Sequence, residues 1–199
     1  MTISPWLWLI AGPNGAGKST FAPTLSSVVD EIVRPDELAV NLSSDNPESV
    51  ALEAGRKAIA RIRSLLEQRR PFAIETTLAG RMHLRVAESA IKQGWSVGVI
   101  YIGLRSPELA IERVHLRHLR GGHNVPSVDV RRRYDRSLKN FAAIYRVATR
   151  TVVLDNSSSR TEMRRLLELH HGQIVFRRRR LPRWLSNALA PIPKSASKT

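Results

Sequence analysis

The chain contains no cysteine, which excludes disulfides and thiolate metal sites and is compatible with a reducing cytosol. No uninterrupted apolar run approaches the roughly 18 residues of a membrane-spanning helix, so no span is expected. The N-terminus lacks the basic start and cleavage site of a secretory signal, and its apolar segment runs directly into a glycine-rich loop; a cytoplasmic location is expected. Acids are scarce. Seventeen Asp and Glu stand against 32 Lys and Arg, for a net charge of +15. The excess is uneven, because Arg177 to Thr199 holds seven basic residues and no acid, leaving +8 on residues 1–176. A basic body suits an anionic ligand such as a nucleotide without singling one out. With 199 residues there is room for one domain with a sizeable core, and no internal repeat or second domain is visible.

What is present is organised around Gly12-Pro13-Asn14-Gly15-Ala16-Gly17-Lys18-Ser19, followed by Thr20, which fits the phosphate-cradling pattern G-x-x-x-x-G-K-[ST]. The apolar run Trp6–Ile10 leads in as a buried strand, and a helix is expected from Lys18. In such a loop successive backbone N–H groups turn onto phosphate oxygens and the helix N-terminus adds its positive end. Lys18 would reach the β/γ-phosphates of ATP, and the Ser19 hydroxyl would hold Mg²⁺.

Downstream, residues 18–29 read as a helix burying Phe21, Leu25 and Val28 or Val29, although Pro23 should break or kink it. Ile32–Arg34 reads as the second strand, with Asp36 just past its end. There a carboxylate in a parallel sheet faces the ligand crevice; Asp36 is a candidate base or Mg²⁺ partner, or else a turn or helix-cap residue. Asn46-Pro47-Glu48 signals a helix running to about Arg70, with Leu52, Ile59, Ile62 and Leu66 on one face. Phe72–Ile74 is the third strand, and Glu75, Thr76 and Thr77 follow it, with Glu75 either a crevice carboxylate or a polar strand terminus. A helix over 81–93 ends at Gly94, and Trp95–Ile102 is a fourth strand. Helices from Ser106-Pro107-Glu108 and from near Ser127 flank Gly121–Pro126. Together they carry Arg113, Arg117, Arg120, Arg131, Arg132, Arg133 and Arg136, which are either a basic surface or a lid over about 106–140 that closes on the transferring phosphates. Thr151–Leu154 is a fifth strand ending in Asp155-Asn156, read as a helix-capping turn in preference to a Walker-B-like carboxylate. Residues 159–170 read as helix and Gln173–Arg177 as a last strand. His115 and His118 lie one turn apart but lack a convincing third zinc ligand.

The expected fold is an α/β P-loop NTPase, with a parallel sheet flanked by helices on both faces. Residues 1–176 are expected to form the P-loop domain, and residues 177–199 a basic, disordered tail able to touch nucleic acid or an anionic membrane.

The string AGPNGAGKST looks like the loop of transporter-type ABC ATPases, but no LSGGQ signature and no Asp-Glu Walker B follow. Five blocks in order, AGPNGAGKST, RPDELA, FAIETTLAGR, SPELAIERVHLRHLRGGHNVP and RRRYDRSLKNF, resemble the shorter branch of the zeta toxin family, over about residues 8–156. The resemblance implies a nucleoside-monophosphate-kinase-like core that transfers phosphate from ATP to a hydroxyl of a sugar nucleotide such as UDP-N-acetylglucosamine, with a partner antitoxin. By position it makes Asp36 the carboxylate that activates the acceptor hydroxyl. It makes Glu75 a substrate-side or metal-side carboxylate, and Arg117, or else Arg113, together with one of Arg120, Arg132 or Arg133, lid arginines on the ATP phosphates. Arg34 departs from the family's usual Asn, Pro23 interrupts the first helix, and the long C-terminal region of larger members is missing. Two other readings are a kinase of the same fold for another nucleotide, metabolite or nucleic-acid end, and a nucleic-acid-binding ATPase using the tail.

Overall fold

Strand β1 (Trp6–Ala11) is apolar throughout because both its faces are covered. Leu7 and Leu9 enter one core layer, and Trp8 and Ile10 enter the layer on the opposite face. In the computed structural model, which describes residues 4–43, 49–122, 125–158 and 162–189, β1 lies third in a seven-stranded sheet of order β2-β3-β1-β4-β5-β6-β7. Strands β2 (Glu31–Val33), β3 (Phe72–Thr76), β4 (Ser96–Gly103) and β5 (Arg150–Asp155) run parallel to β1. Strands β6 (Arg164–His170) and β7 (Gln173–Arg177) add antiparallel to β5. The sheet is therefore mixed rather than wholly parallel.

Helices α3 (Ala51–Glu67) and α4 (Met82–Lys92) cover one face through Ala58, Ile62, Leu65, Leu84 and Ala87. Helix α5 (Pro107–Leu119) covers the other through Leu109, Ala110 and Val114. Helix α6 (Ser127–Ile144) reaches both layers, giving Val130 and Tyr134 to the α5 side and Phe141 and Ile144 to the α3/α4 side. Ser106 caps α5 as expected, its side chain accepting from the Leu109 N–H, and Gly94 ends α4 at φ +76°.

Several sequence expectations are corrected. The first helix, α1, spans only Lys18–Phe21 and tightens into a 3-10 turn at Ala22–Leu25; Pro23 sits where its missing N–H costs little, so the chain bends instead of paying for a buried break. The segment after β2 is a helix, α2 (Pro35–Leu42), with proline at its first position. Helix α3 begins at Ala51 and leaves Leu52 70% exposed, with Ala54 and Ala58 buried in place of Leu52; the Asn46-Pro47-Glu48 start lies outside the described residues. The helix expected over 159–170 is a strand, β6, over its described part. Its Glu, Met, Arg and Leu favour helix locally, but pairing along β5 and burial of Leu166, Leu167 and Leu169 override that preference. Over residues 182–189 the expected disorder gives way to a folded helix, α7 (Arg183–Ala188), while residues 190–199 lie outside the described residues. Trp184 lies against Gly103, where an added Cβ would come within 2.1 Å of the indole, and Leu185 is fully buried. Residues 177–189 thus belong to the folded body rather than to a free tail. No described helix is long and apolar enough to cross a membrane.

Candidate active site

The loop between β1 and α1 can be tight only because of its glycines. At Gly12, φ is +149° and an added Cβ would stand 2.1 Å from the Ile102 carbonyl oxygen, so the loop passes directly over β4. Gly17 (φ +89°) leaves room for the Asn156 side chain, whose Nδ2 donates to the Ala16 carbonyl at 2.9 Å. Asn156 follows the last residue of β5, and its own N–H donates to the Gly103 carbonyl at 3.0 Å. A strand end thereby fastens the loop from behind. From the front, Arg113 of α5 donates to the carbonyls of Gly15 (3.5 Å) and Ser158 (3.3 Å).

Lys18 is buried, and its Nζ donates to the Pro13 carbonyl at 3.0 Å, curling back over the loop it would share with a phosphate. The Ser19 hydroxyl donates to Glu75 Oε1 at 2.7 Å. This contact exists because β3 neighbours β1 and Glu75 pairs in register with Ile10, bringing the strand's carboxylate beside the first turn of α1. The other oxygen, Glu75 Oε2, is buried without a hydrogen bond and lies 3.5 Å from Arg34 Nε, itself buried and unsatisfied. Arg34 also donates to Glu37 at 3.2 Å.

These groups line a cavity of about 700 Å³. The sequence-predicted residues Asn14, Gly15, Gly17, Lys18, Ser19, Thr20, Glu75, Thr76, Thr77, Arg117 and Arg133 meet on its wall. Gly12, Pro13 and Ala16 are buried behind it as the loop's scaffold, and Arg120 ends α5 exposed, outside the lining. Asp36 stands in the first turn of α2, between two lining residues, Pro35 and Glu37; its side chain lies outside the described set. Arg132, an alternative lid cation, is turned to Asp129 at 2.6 Å. Asp155 does not line the cavity: it accepts from Arg164 at 3.0 Å and from the Ser157 hydroxyl, which leaves Glu75 as the strand-end carboxylate beside the loop. Asp155 does not cap a helix either, because the next described element is β6.

Sequence reasoning missed three contributors. Asn156 was visible only as a turn residue, although an amide directly after a strand end in a parallel sheet faces the loops at that edge. Arg34 stood out as a departure but not as a site residue. His83 had no signal at all. Its ring Nδ1 lies 2.9 Å from the Thr76 hydroxyl, which also accepts from the Leu78 N–H, while its Nε2 is buried without a partner. Burial pushes the His83 pKa down to about 4, so the imidazole is neutral at physiological pH. Tyr134 donates to the Leu104 carbonyl at 2.7 Å, and burial raises its phenol to about 12, so it pins α6 to the sheet as a neutral donor.

A phosphate loop at the end of the first of five parallel strands, a buried lysine folded over it, and an acid beside its hydroxyl define a P-loop nucleotide-binding fold. The chain belongs to the zeta toxin family, whose profile it matches over residues 2–165. It is 32% identical over 123 residues to an uncharacterized protein of Haemophilus influenzae, covering 62% of this chain and 88% of that one. Among solved structures it is similar to the complex of AvrRxo1-ORF1 and ORF2 with ATP (TM-score 0.69, 15% identity, 86% of this chain). It is also similar to the PezAT chromosomal toxin–antitoxin system of Streptococcus pneumoniae (TM-score 0.60, 17% identity, 78% of this chain and 69% of that one). The chain spans 60% of the length of the AvrRxo1 chain it matches.

Proposed function

We propose that this kinase transfers the γ-phosphoryl group of ATP to a hydroxyl of a sugar nucleotide of the UDP-N-acetylglucosamine type. The observation that carries the reading is the Ser19–Glu75 contact at 2.7 Å, which joins the ATP loop to the opposite wall of one cavity. In this reading residues 12–20 cradle the triphosphate, and Lys18 exchanges the Pro13 carbonyl for phosphate oxygens. Ser19 and Glu75 suit Mg²⁺: an all-oxygen donor set, with one carboxylate oxygen buried without a hydrogen bond. Mg²⁺ held by Ser19 and Glu75 would supply positive charge against the nucleotide's phosphates.

Asp36 orients the acceptor hydroxyl and takes its proton. The acceptor oxygen bonds to the γ-phosphorus as the bond to the bridging β–γ oxygen breaks, and ADP leaves. Arg117 and Arg133, from the two helices of the proposed lid, stabilise charge on the transferring group. Most of the rate acceleration comes from positioning and fixed charge. A separate antitoxin chain is the proposed partner, supported by the similarity to a toxin–antitoxin system.

Labelled ATP offered with UDP-N-acetylglucosamine, other nucleotides, small metabolites and 5′-hydroxyl oligonucleotides tests the assignment. Label is expected on the sugar nucleotide. Label on an oligonucleotide end or on a simple metabolite instead would overturn it.

A further inference from the structure

Glu75 serves two halves of the cavity at once. One oxygen accepts from Ser19 on the ATP loop, and the other faces Arg34 Nε at 3.5 Å without a hydrogen bond. Arg34 stands at the junction of β2 and α2, and it is the one arginine or lysine that the β2–α2 and β3–α4 segments give to the cavity lining among the described residues. Those segments also supply His83, which burial keeps neutral, and Glu37, which accepts from Arg34 at 3.2 Å. Lys18, Arg113, Arg117 and Arg133 come from the loop and from α5 and α6. An anionic group of an acceptor placed against α2 therefore has Arg34 as its nearest cationic receptor on that side.

The Arg34–Glu75 pair is poorly set. Two buried, oppositely charged atoms sit within ion-pair range, yet neither completes a hydrogen bond, an arrangement that costs desolvation without full compensation. Glu75 cannot give full strength both to Arg34 and to a divalent cation beside Ser19.

We propose that Arg34 is the specificity-determining receptor for a phosphate or carboxylate on the acceptor, and that Glu75 gates it. When Glu75 is committed to the nucleotide's Mg²⁺, Arg34 is released to bind the acceptor's anion. The acceptor class that follows is anionic, as the diphosphate of a sugar nucleotide is, and its binding is strengthened by prior binding of nucleotide and Mg²⁺. Linkage makes the coupling reciprocal. This rests on the kinase reading of the preceding subsection and on its assignment of Ser19 and Glu75 to Mg²⁺.

Two substitution effects of opposite sign test the proposal on the full chain. With the loop saturated by a non-hydrolysable ATP analogue, calorimetry measures Mg²⁺ affinity, and then inorganic phosphate affinity as the acceptor-side probe. Arg34→Gln is expected to bind Mg²⁺ about fivefold more tightly, because a cation is removed beside Glu75. It is expected to bind phosphate about tenfold more weakly, from loss of a charge-assisted contact, with Arg34→Lys recovering part of the phosphate affinity. Unchanged Mg²⁺ affinity would overturn the gate. Phosphate affinity equal in both proteins, including no binding by either, would overturn the receptor. A general loss of structure would weaken both ligands together and shift the melting temperature, contradicting the opposite signs. Transfer to UDP-N-acetylglucosamine, measured in parallel, separates the two readings. Both shifts without transfer would remove the sugar nucleotide and keep Arg34 as an anion receptor, whereas transfer without the shifts would do the reverse.

Discussion

The two walls of the cavity are built differently. The ATP wall is backbone held by backbone-directed bonds: Lys18 on the Pro13 carbonyl, Asn156 on that of Ala16, Arg113 on that of Gly15. Its shape is fixed before any ligand arrives, and side chains enter mainly as fasteners. The acceptor wall is made of side chains that contact one another incompletely. Arg34 Nε, Glu75 Oε2 and His83 Nε2 are all buried there without a hydrogen bond, against one such atom, Asn14 Oδ1, on the ATP wall. A preformed wall suits a ligand shared by many enzymes, whereas a wall of orphaned polar groups is completed by a particular partner. The contrast explains how one loop can be read from a motif while the acceptor's identity cannot.

The sharpest break of that contrast is Lys18→Ala, which removes the buried cation of the phosphate loop. Transfer is expected to fall below detection, with nucleotide affinity reduced about a hundredfold, by loss of a charge-assisted contact; equilibrium binding of a fluorescent ATP analogue reads it. Glu75→Gln touches both walls. Transfer is expected to fall at least about a hundredfold, since an electrostatic partner at the reacting phosphates is lost. The apparent Mg²⁺ requirement should rise with it, measured as rate against Mg²⁺ concentration. Asn156→Ala leaves every lining residue in place and frees the Ala16 carbonyl. It should cost about 1–3 kcal/mol of stability, as for a buried acceptor left unpaired, and raise KM for ATP while leaving KM for the acceptor near that of the wild type.

The smallest effect at physiological pH is a pH dependence on the acceptor wall. His83 has a folded pKa near 4 against 6.5 when unconstrained, so the unfolded chain binds the extra proton first as pH falls. The stability from keeping it neutral is fully present above about pH 6.5 and is lost progressively down to about pH 4. His83→Gln should flatten that part of the stability curve, checked by chemical denaturation at several pH values. An unchanged slope would place the titration elsewhere.

Legibility in the sequence followed the same division. The phosphate loop, the strand before it, the capped start of α5 at Ser106, the end of α4 at Gly94 and the positions of Glu75, Thr76 and Thr77 could all be read, because each rests on local chemistry such as glycine φ, proline placement or strand-end position. Elements set by distant partners could not. Strand β6 has helix-forming residues and becomes a strand because β5 offers an open edge. Helix α7 sits in a basic, proline-containing segment and folds because Trp184 finds the flat space left by Gly103. Asn156 acquires its role only when strand order brings it behind the phosphate loop, and Arg34 and His83 only when it brings them to the cavity. Lys18, Ser19, Arg117 and Arg133 converge on that cavity, while Arg120 does not.

The central claim is that ATP and a hydroxyl acceptor meet in this cavity with Asp36 as the proton acceptor between them. The most direct measurement sets ATP affinity beside the rate of labelled phosphate transfer for Asp36→Ala. The account predicts near-normal ATP binding with transfer abolished. Full turnover by that variant would contradict it.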